Sequence, residues 1–168
     1  MLEREQYHDS IRGWFAGELH RWMEVSPDLI VVSGDLGFGM WDQVRKDFPN
    51  QFINVGAAEL AGMGIAVGLA EEKKVPIFYS ITTFALSRPF EVIRNYIAHE
   101  NIPVKIIGSG RDFDYEHDGW SHHSPDAKAI LDVFPNIKQY WPNTKEEIPM
   151  MVDDLLNNGK PSFVSLKR

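Results

Sequence analysis

The stretch GAAELAGMGIAVGLA, residues 56–70, holds a single titratable side chain, Glu59, among glycines and apolar residues. A buried carboxylate left alone is costly, so such a group either keeps its proton or finds a partner. A carboxylic acid with a raised pKa can donate a proton or a hydrogen bond to a ligand near neutral pH. The plainer reading is an acid in the first turn of a helix, favoured by the dipole and facing water. Gly62, Gly64 and Gly68 add a second clue, because each glycine costs a helix about 1 kcal/mol. Three of them predict a close approach by another backbone, from a neighbouring helix or a second subunit. Further on, EHDGWSHH gathers His117, His122 and His123 beside Asp118. Zinc ligands usually come from defined element ends, as in H-E-x-x-H on one helix face. Adjacent histidines in a loop point apart, so a polar loop facing substrate or cofactor is the better reading, with a merely solvated loop as the alternative. SGDLGFG, residues 33–39, has neither the G-x-G-x-x-G spacing nor a P-loop lysine, and reads as a strand-to-helix turn.

The elements that must position these groups alternate. REQYHDSIRGWFAGELHRWMEVS spaces Ile11, Trp14, Phe15, Leu19, Trp22 and Met23 as an amphipathic helix, ended by Pro27. DLIVVSG is a buried strand, MWDQVRKDF a short helix closed by Pro49, and QFINVG a second strand. The glycine-rich stretch forms a helix to about Lys74, and Pro76 starts the strand PIFYSIT. SRPFEVIRNYIAHE reads as a helix with Ser87 as N-cap and Pro89 in its first turn. The strand PVKIIGSG and a polar loop over residues 109–123 follow. SPDAKAILDVF is a helix with Ser124 as N-cap and Pro125 at its first position. NIKQYWP ends a strand, Thr144 and Glu147 form a capping box ahead of a helix, and PSFVSLKR is the last strand. Six strands alternating with helices predict an α/β fold: a doubly wound, mostly parallel six-stranded sheet with helices on both faces. Ligands in such sheets bind beyond the carboxyl ends of the strands, where Glu59, the SGDLGFG turn and the histidine loop all fall.

Composition narrows the classes. The chain has 168 residues, 24 % of them charged and 43 % hydrophobic, enough for one domain over residues 1–168 with a real core. A net charge of −7 and no long basic run argue against a nucleic-acid surface. No uncharged apolar run reaches the ~18 residues of a membrane span, and the charged first residues do not resemble a signal peptide. With no cysteine there is no disulfide frame and no thiolate chemistry. A cytoplasmic protein is expected.

FINVGAAELAGMGIAVGLAEEKKVPIFYSITTF resembles the pyrimidine-binding domain of transketolases, whose pattern runs N-x-G-I-x-E-Q-x-M-x-G-x-A-x-G-L-A and then P-x-x-x-T-F. Downstream, DGWSHH is similar to that family's DGPTHQ, and VVSGDLGFG resembles the end of its vvl-x-A-D-L strand. The resemblance runs from about Leu29 to Trp141 and is partly shared with 1-deoxyxylulose-5-phosphate synthases and 2-oxo-acid dehydrogenase β-subunits. It implies that Glu59 hydrogen-bonds N1′ of the aminopyrimidine of thiamine diphosphate, favouring the imino tautomer that takes the thiazolium C2 proton, and that the apolar neighbours keep the carboxyl protonated enough to share that proton. Phe84 matches the aromatic beside the pyrimidine, Phe90 a further aromatic, and Asp35 an acid near the cofactor. His122 matches a histidine that contacts the sugar, and Asp118 an aspartate on a sugar hydroxyl. Ser87 stands where the family has a second aromatic or an arginine; either a one-residue shift puts Arg88 in the pocket, or the pocket is more open. Trp120 replaces the usual proline, and Leu60 and Ala61 replace the usual residues beside the glutamate.

The Gly-Asp-Gly…Asn motif that holds diphosphate and Mg²⁺ in this family is missing: Leu36 stands at the second glycine and Asn54 comes too early. No match to the third domain of transketolases is expected within these residues. The resemblance therefore implies the pyrimidine subunit of a split transketolase acting on sugar phosphates. A diphosphate-binding partner subunit would carry Mg²⁺, the glycine-lined helix would be a contact surface, and the chain alone would self-associate, be inactive and bind thiamine diphosphate weakly. Two alternatives stay open: a subunit of a thiamine-dependent 2-oxo-acid decarboxylase or acyloin synthase, and a non-catalytic domain that binds a partner.

Overall fold

The computed structural model describes residues 2–168. After a 3₁₀ turn at Arg4–Gln6, helix α1 spans Ile11–Met23. The single helix expected over residues 4–26 is interrupted because Ser10 is extended (φ −153°) and caps α1, its hydroxyl accepting the Gly13 N–H at 3.0 Å. The remaining elements are β1 (Leu29–Ser33), α2 (Asp42–Asp47), β2 (Phe52–Asn54), α3 (Glu59–Glu71), β3 (Val75–Ile81) and α4 (Thr82–Ser87). Next come α5 (Phe90–Val92), which runs into a π-helical stretch Ile93–His99, then β4 (Lys105–Ser109), α6 (Ala127–Asp132), β5 (Lys138–Tyr140), α7 (Ile148–Asn157) and β6 (Ser162–Leu166). Among the described residues no helix is long and apolar enough to cross a membrane.

The six strands form one sheet in the order β2-β1-β3-β4-β6-β5, and every pairing is parallel. Val32, Phe78, Ile106 and Phe163 lie side by side across its centre. Successive residues of a strand serve opposite cores. Ile30, Val32 and Phe78 pack with Met63 and Ala66 of α3, Leu86 of α4 and Leu131 of α6. Leu29, Val31 and Ile77 pack with Phe15 and Leu19 of α1, Val44 of α2 and Val152 of α7. Burial on both faces is why the central strands β1, β3, β4 and β6 read as mostly apolar runs. The chain leaves β1 for β2 on one side and returns to β3 on the other, so the sheet has its switch point between β1 and β3.

Two expected helix starts are corrected. Ser87 ends α4 instead of opening a helix, and Pro89 directly precedes α5 without any side-chain cap. Ser124 does not cap α6, which starts at Ala127; its hydroxyl is turned to the Gly110 carbonyl, 3.4 Å away. The capping box is present: the Glu147 carboxylate accepts the Thr144 N–H at 2.9 Å, and a 3₁₀ turn at Lys145–Glu147 leads into α7.

Candidate functional site

Glu59 is the first residue of α3, just past the carboxyl end of β2, and is only 3 % exposed. Ser80, near the end of β3, donates its hydroxyl to Oε1 at 3.3 Å. Arg88, between α4 and α5, donates Nη1 to Oε2 at 2.6 Å. The lone acid of the sequence thus has a hydroxyl and a cation as partners, one of the two outcomes open to a buried carboxyl. An ion pair so formed is what makes burial of the charge tolerable.

The helix that begins at Glu59 is packed tightly where it meets the sheet. A Cβ at Gly62 would stand 2.9 Å from the Phe78 ring and 2.9 Å from Val55. The close approach expected there is to side chains, not to another backbone. Gly64 and Gly68 face open space, on a stripe where Leu60 and Ile65 are exposed at 55 % and 40 %.

Phe84 projects from α4 beside this pair. Its ring carries the Arg88 guanidinium 3.7 Å from its centroid and meets the His122 ring edge-on at 4.9 Å. The start of α4 is seated on β4 by Thr82, whose hydroxyl donates to the carbonyls of Ser109 and Gly110. Gly108 permits this seat, since a Cβ there would lie 2.5 Å from Thr82 Oγ1.

His122 comes from the loop after β4, where 3₁₀ turns at Glu116–Asp118 and Trp120–His122 interrupt the polar segment. The loop is held from several directions. Gly110, at φ +79°, lets Tyr115 cover it; a Cβ would overlap the Tyr115 ring at 2.1 Å. The Tyr115 hydroxyl meets Ser109 Oγ at 2.8 Å, and Arg12 of α1 donates to both, at 3.5 and 3.4 Å. Arg111 donates to the Ser165 and Pro142 carbonyls at 2.7 and 2.9 Å. Asp118 lies in this loop, 3.9 Å from Arg168. Among the described residues, His117, His122 and His123 assemble no cluster of metal ligands.

Asp35 follows β1. It is exposed and clasps the next loop: its Oδ1 accepts from Asn54 Nδ2 at 3.2 Å, and its N–H donates to the Gly56 carbonyl at 2.9 Å. Phe90 lies farther along; the ring it meets is Phe134, at 5.7 Å, beyond α6. The structure therefore brings Glu59, Phe84 and His122 together, keeps Asp35 and Asp118 on separate loops after β1 and β4, and turns Phe90 toward another ring. Arg88 stands between Glu59 and the Phe84 ring. Ser80, Ser109 and Tyr115 had no place in the sequence reading; the one available signal was Ser80, a polar residue inside the apolar run PIFYSIT. Exposed aromatic rings rim the region, with Phe38, Phe113 and Trp120 at 71 %, 54 % and 75 %. A flat face, a buried acid and a histidine at a sheet's carboxyl edge suit a planar heterocycle with a polar edge.

Residues 10–168 match the family model described as "Transketolase, pyrimidine binding domain". A protein of Methanocaldococcus jannaschii named "Putative transketolase C-terminal section" is 30 % identical over 142 residues, covering 84 % of this chain and 45 % of that protein. A subunit of an apulose-4-phosphate transketolase from Actinobacillus succinogenes is 31 % identical over 121 residues, 72 % of this chain and 39 % of that protein. The chain spans less than half the length of both relatives. A solved structure described as "Split gene transketolase, inactive beta4 tetramer" superposes with a TM-score of 0.84 at 27 % identity, covering 96 % of this chain and 52 % of the other.

Proposed function

This chain belongs to the transketolase pyrimidine-binding-domain family, and on that footing we propose that it is the pyrimidine-binding subunit of a split thiamine-diphosphate-dependent transketolase. Together with a partner subunit it moves a two-carbon ketol unit between sugar phosphates. The observation that carries this reading is Glu59, 3 % exposed, joined to the Phe84 ring through the single guanidinium of Arg88. A buried carboxyl beside an aromatic face fits a flat aminopyrimidine with one ring nitrogen turned to the acid. Among the described residues no three acids or histidines gather as a metal site, and in this proposal the diphosphate and Mg²⁺ fall to the partner subunit.

When bound, thiamine diphosphate supplies the electron sink that lets a ketose carbon–carbon bond break. This chain's residues do the rest. Glu59 holds a proton at N1′ of the pyrimidine, and Ser80 fixes the carboxyl's other oxygen. Phe84 supplies the stacking face, while Phe90, which meets the Phe134 ring, stands outside that contact. His122 and Asp118 reach from the loop after β4 toward the hydroxyls of the sugar, and Asp35 steadies the loops that aim α3. The exposed stripe of Leu60, Gly64, Ile65 and Gly68 suits a docked helix, because glycines let backbones approach. That stripe is the contact surface for the partner and, without it, for a second copy, which leaves the lone chain inactive. The tetramer named for the 27 % identical structure supports self-association.

The test is reconstitution with a diphosphate-binding transketolase subunit. Glu59→Gln is expected to lower turnover by at least about 100-fold, the usual weight of a positioned proton donor. Retained turnover overturns the reading.

A further inference from the structure

Arg88 does more than neutralise Glu59. Its guanidinium is planar, donates to Oε2 of Glu59 at 2.6 Å, and lies 3.7 Å from the centroid of the Phe84 ring. Those are the two contacts the proposed function gives to the aminopyrimidine: a hydrogen bond to the buried acid and a stack on the aromatic face. We propose that Arg88 is an internal plug, a cationic stand-in that fills the pyrimidine slot while the cofactor is absent and swings out when the ring enters. This rests on the reading of Glu59 and Phe84 as the pyrimidine site.

The surroundings of Arg88 fit a part that moves. Its side chain is 45 % exposed, while that of Glu59 is 3 % exposed. The acid is fixed and the cation has solvent to move into. Among the described residues, the bond to Glu59 is its one hydrogen bond. The backbone is discontinuous at this point. α4 ends at Ser87, and Pro89, at φ −95° and ψ 24°, stands outside helical geometry before α5 begins. Proline also removes a backbone donor, so no unbroken helical ladder holds the segment. Guanidinium is the side chain best suited to both contacts, since it stacks on rings and bonds carboxylates through a flat fork; an ammonium does only the second well.

The plug makes loading conditional. A pyrimidine alone must displace a charge-assisted bond and a stack. A cofactor already held by its diphosphate on the partner subunit meets the slot at high effective concentration and displaces Arg88 more readily. The isolated chain is thereby kept from holding the cofactor unproductively.

The probe is 4-amino-5-hydroxymethyl-2-methylpyrimidine, the ring without thiazolium or phosphates, titrated calorimetrically into the full chain. Arg88→Ala is expected to bind it about tenfold more tightly than the parent, the loss of one competing charge-assisted contact. Arg88→Lys retains a cation for Glu59 and so protects the fold, but cannot lie flat on Phe84; it is expected to gain about threefold. Equal or weaker binding by folded Arg88→Ala, or by Arg88→Lys if Arg88→Ala does not fold, overturns the plug and makes Arg88 a structural partner or a holder of the ring. The two ideas fail separately. If Glu59→Gln abolishes turnover of the reconstituted complex while the Arg88 variants gain nothing, the plug alone is wrong. If the Arg88 variants gain affinity while Glu59→Gln keeps full turnover, the plug stands and the catalytic role of Glu59 falls.

Discussion

The hydroxyl of Ser80 donates to Oε1 of Glu59 across 3.3 Å, tying the end of β3 to the first turn of α3. Both residues are buried. Ser80→Ala leaves that oxygen without its donor, and an unsatisfied buried acceptor costs about 1–3 kcal/mol. Urea unfolding is expected to show a loss in that range. Turnover of the reconstituted complex should fall less than with Glu59→Gln, because Oε2 keeps its place.

Two glycines give opposite expectations. A Cβ at Gly108 would lie 2.5 Å from Thr82 Oγ1 and 2.9 Å from the Phe163 ring. Gly108→Ala is therefore expected to lower stability by about 1–3 kcal/mol through overpacking. A Cβ at Gly64 meets nothing within 4 Å. Gly64→Ala is expected to stabilise the chain by up to about 1 kcal/mol, as helix propensity dictates. If the stripe docks a helix, the same change also weakens association in sedimentation velocity. A Gly64→Ala chain that is more stable and associates as well as the parent excludes this stripe from the interface.

Lys105, the first residue of β4, is 2 % exposed and donates to Asn158 Oδ1 at 2.9 Å and to the Lys160 carbonyl at 2.6 Å. Burial lowers its pKa from 10.5 to about 8, against a smaller upward pull from Asp154. Below pH 8 the folded state bears the full cost of a buried ammonium. Between about 8 and 10.5 the unfolded chain binds more protons, so stability rises with pH. Unfolding free energies at about pH 7.5 and 9.5 should differ by roughly 1–2 kcal/mol in favour of the higher pH. Lys105→Met should remove that rise. Above about pH 10 the trend should weaken, because burial raises the pKa values of Tyr79 and Tyr140 and penalises their ionisation.

His122 touches the Phe84 ring edge-on at 4.9 Å, and its Nδ1 lies 3.0 Å from Ser121 Oγ. Neither contact is a buried core contact, so His122→Ala should leave the midpoint of thermal unfolding within a few degrees of the parent. If the imidazole contacts the sugar, kcat/KM of the reconstituted complex should fall by roughly 10–100-fold, the worth of one hydrogen bond to a charged or reacting group. An unchanged kcat/KM removes His122 from the site.

The four central strands were legible because both faces of the sheet are covered there, which makes them mostly apolar runs, and the short edge strands β2 and β5 were read from the alternation with helices. The helix starts at Ser87 and Ser124 were not. A serine with a proline one or two positions on has the local chemistry of an N-cap, yet Ser87 terminates α4 and the Ser124 hydroxyl is taken by the Gly110 carbonyl. Glu59 stood out as one acid in a greasy segment. Its bond to Arg88, 29 positions away, depends on how α4 turns back over the end of β3, and no local pattern encodes that turn. Tyr115 was hidden for a similar reason: its role follows from the left-handed backbone of Gly110 and from an arginine on the first helix.

That arginine ties the site to the order in which the molecule assembles. Arg12 and Ser109 are 97 positions apart, and Arg12 and Tyr115 are 103 apart. Non-local contacts of this kind are slow to form, and loops held by a few partly exposed hydrogen bonds open at lower free energy than core strands. The loop bearing His122 should mature after the sheet and loosen before it. Amide hydrogens of residues 110–123 would then exchange early under mild denaturant, while those of β3 and β4 stay protected, and catalytic competence would fade in a chain that is still mostly folded.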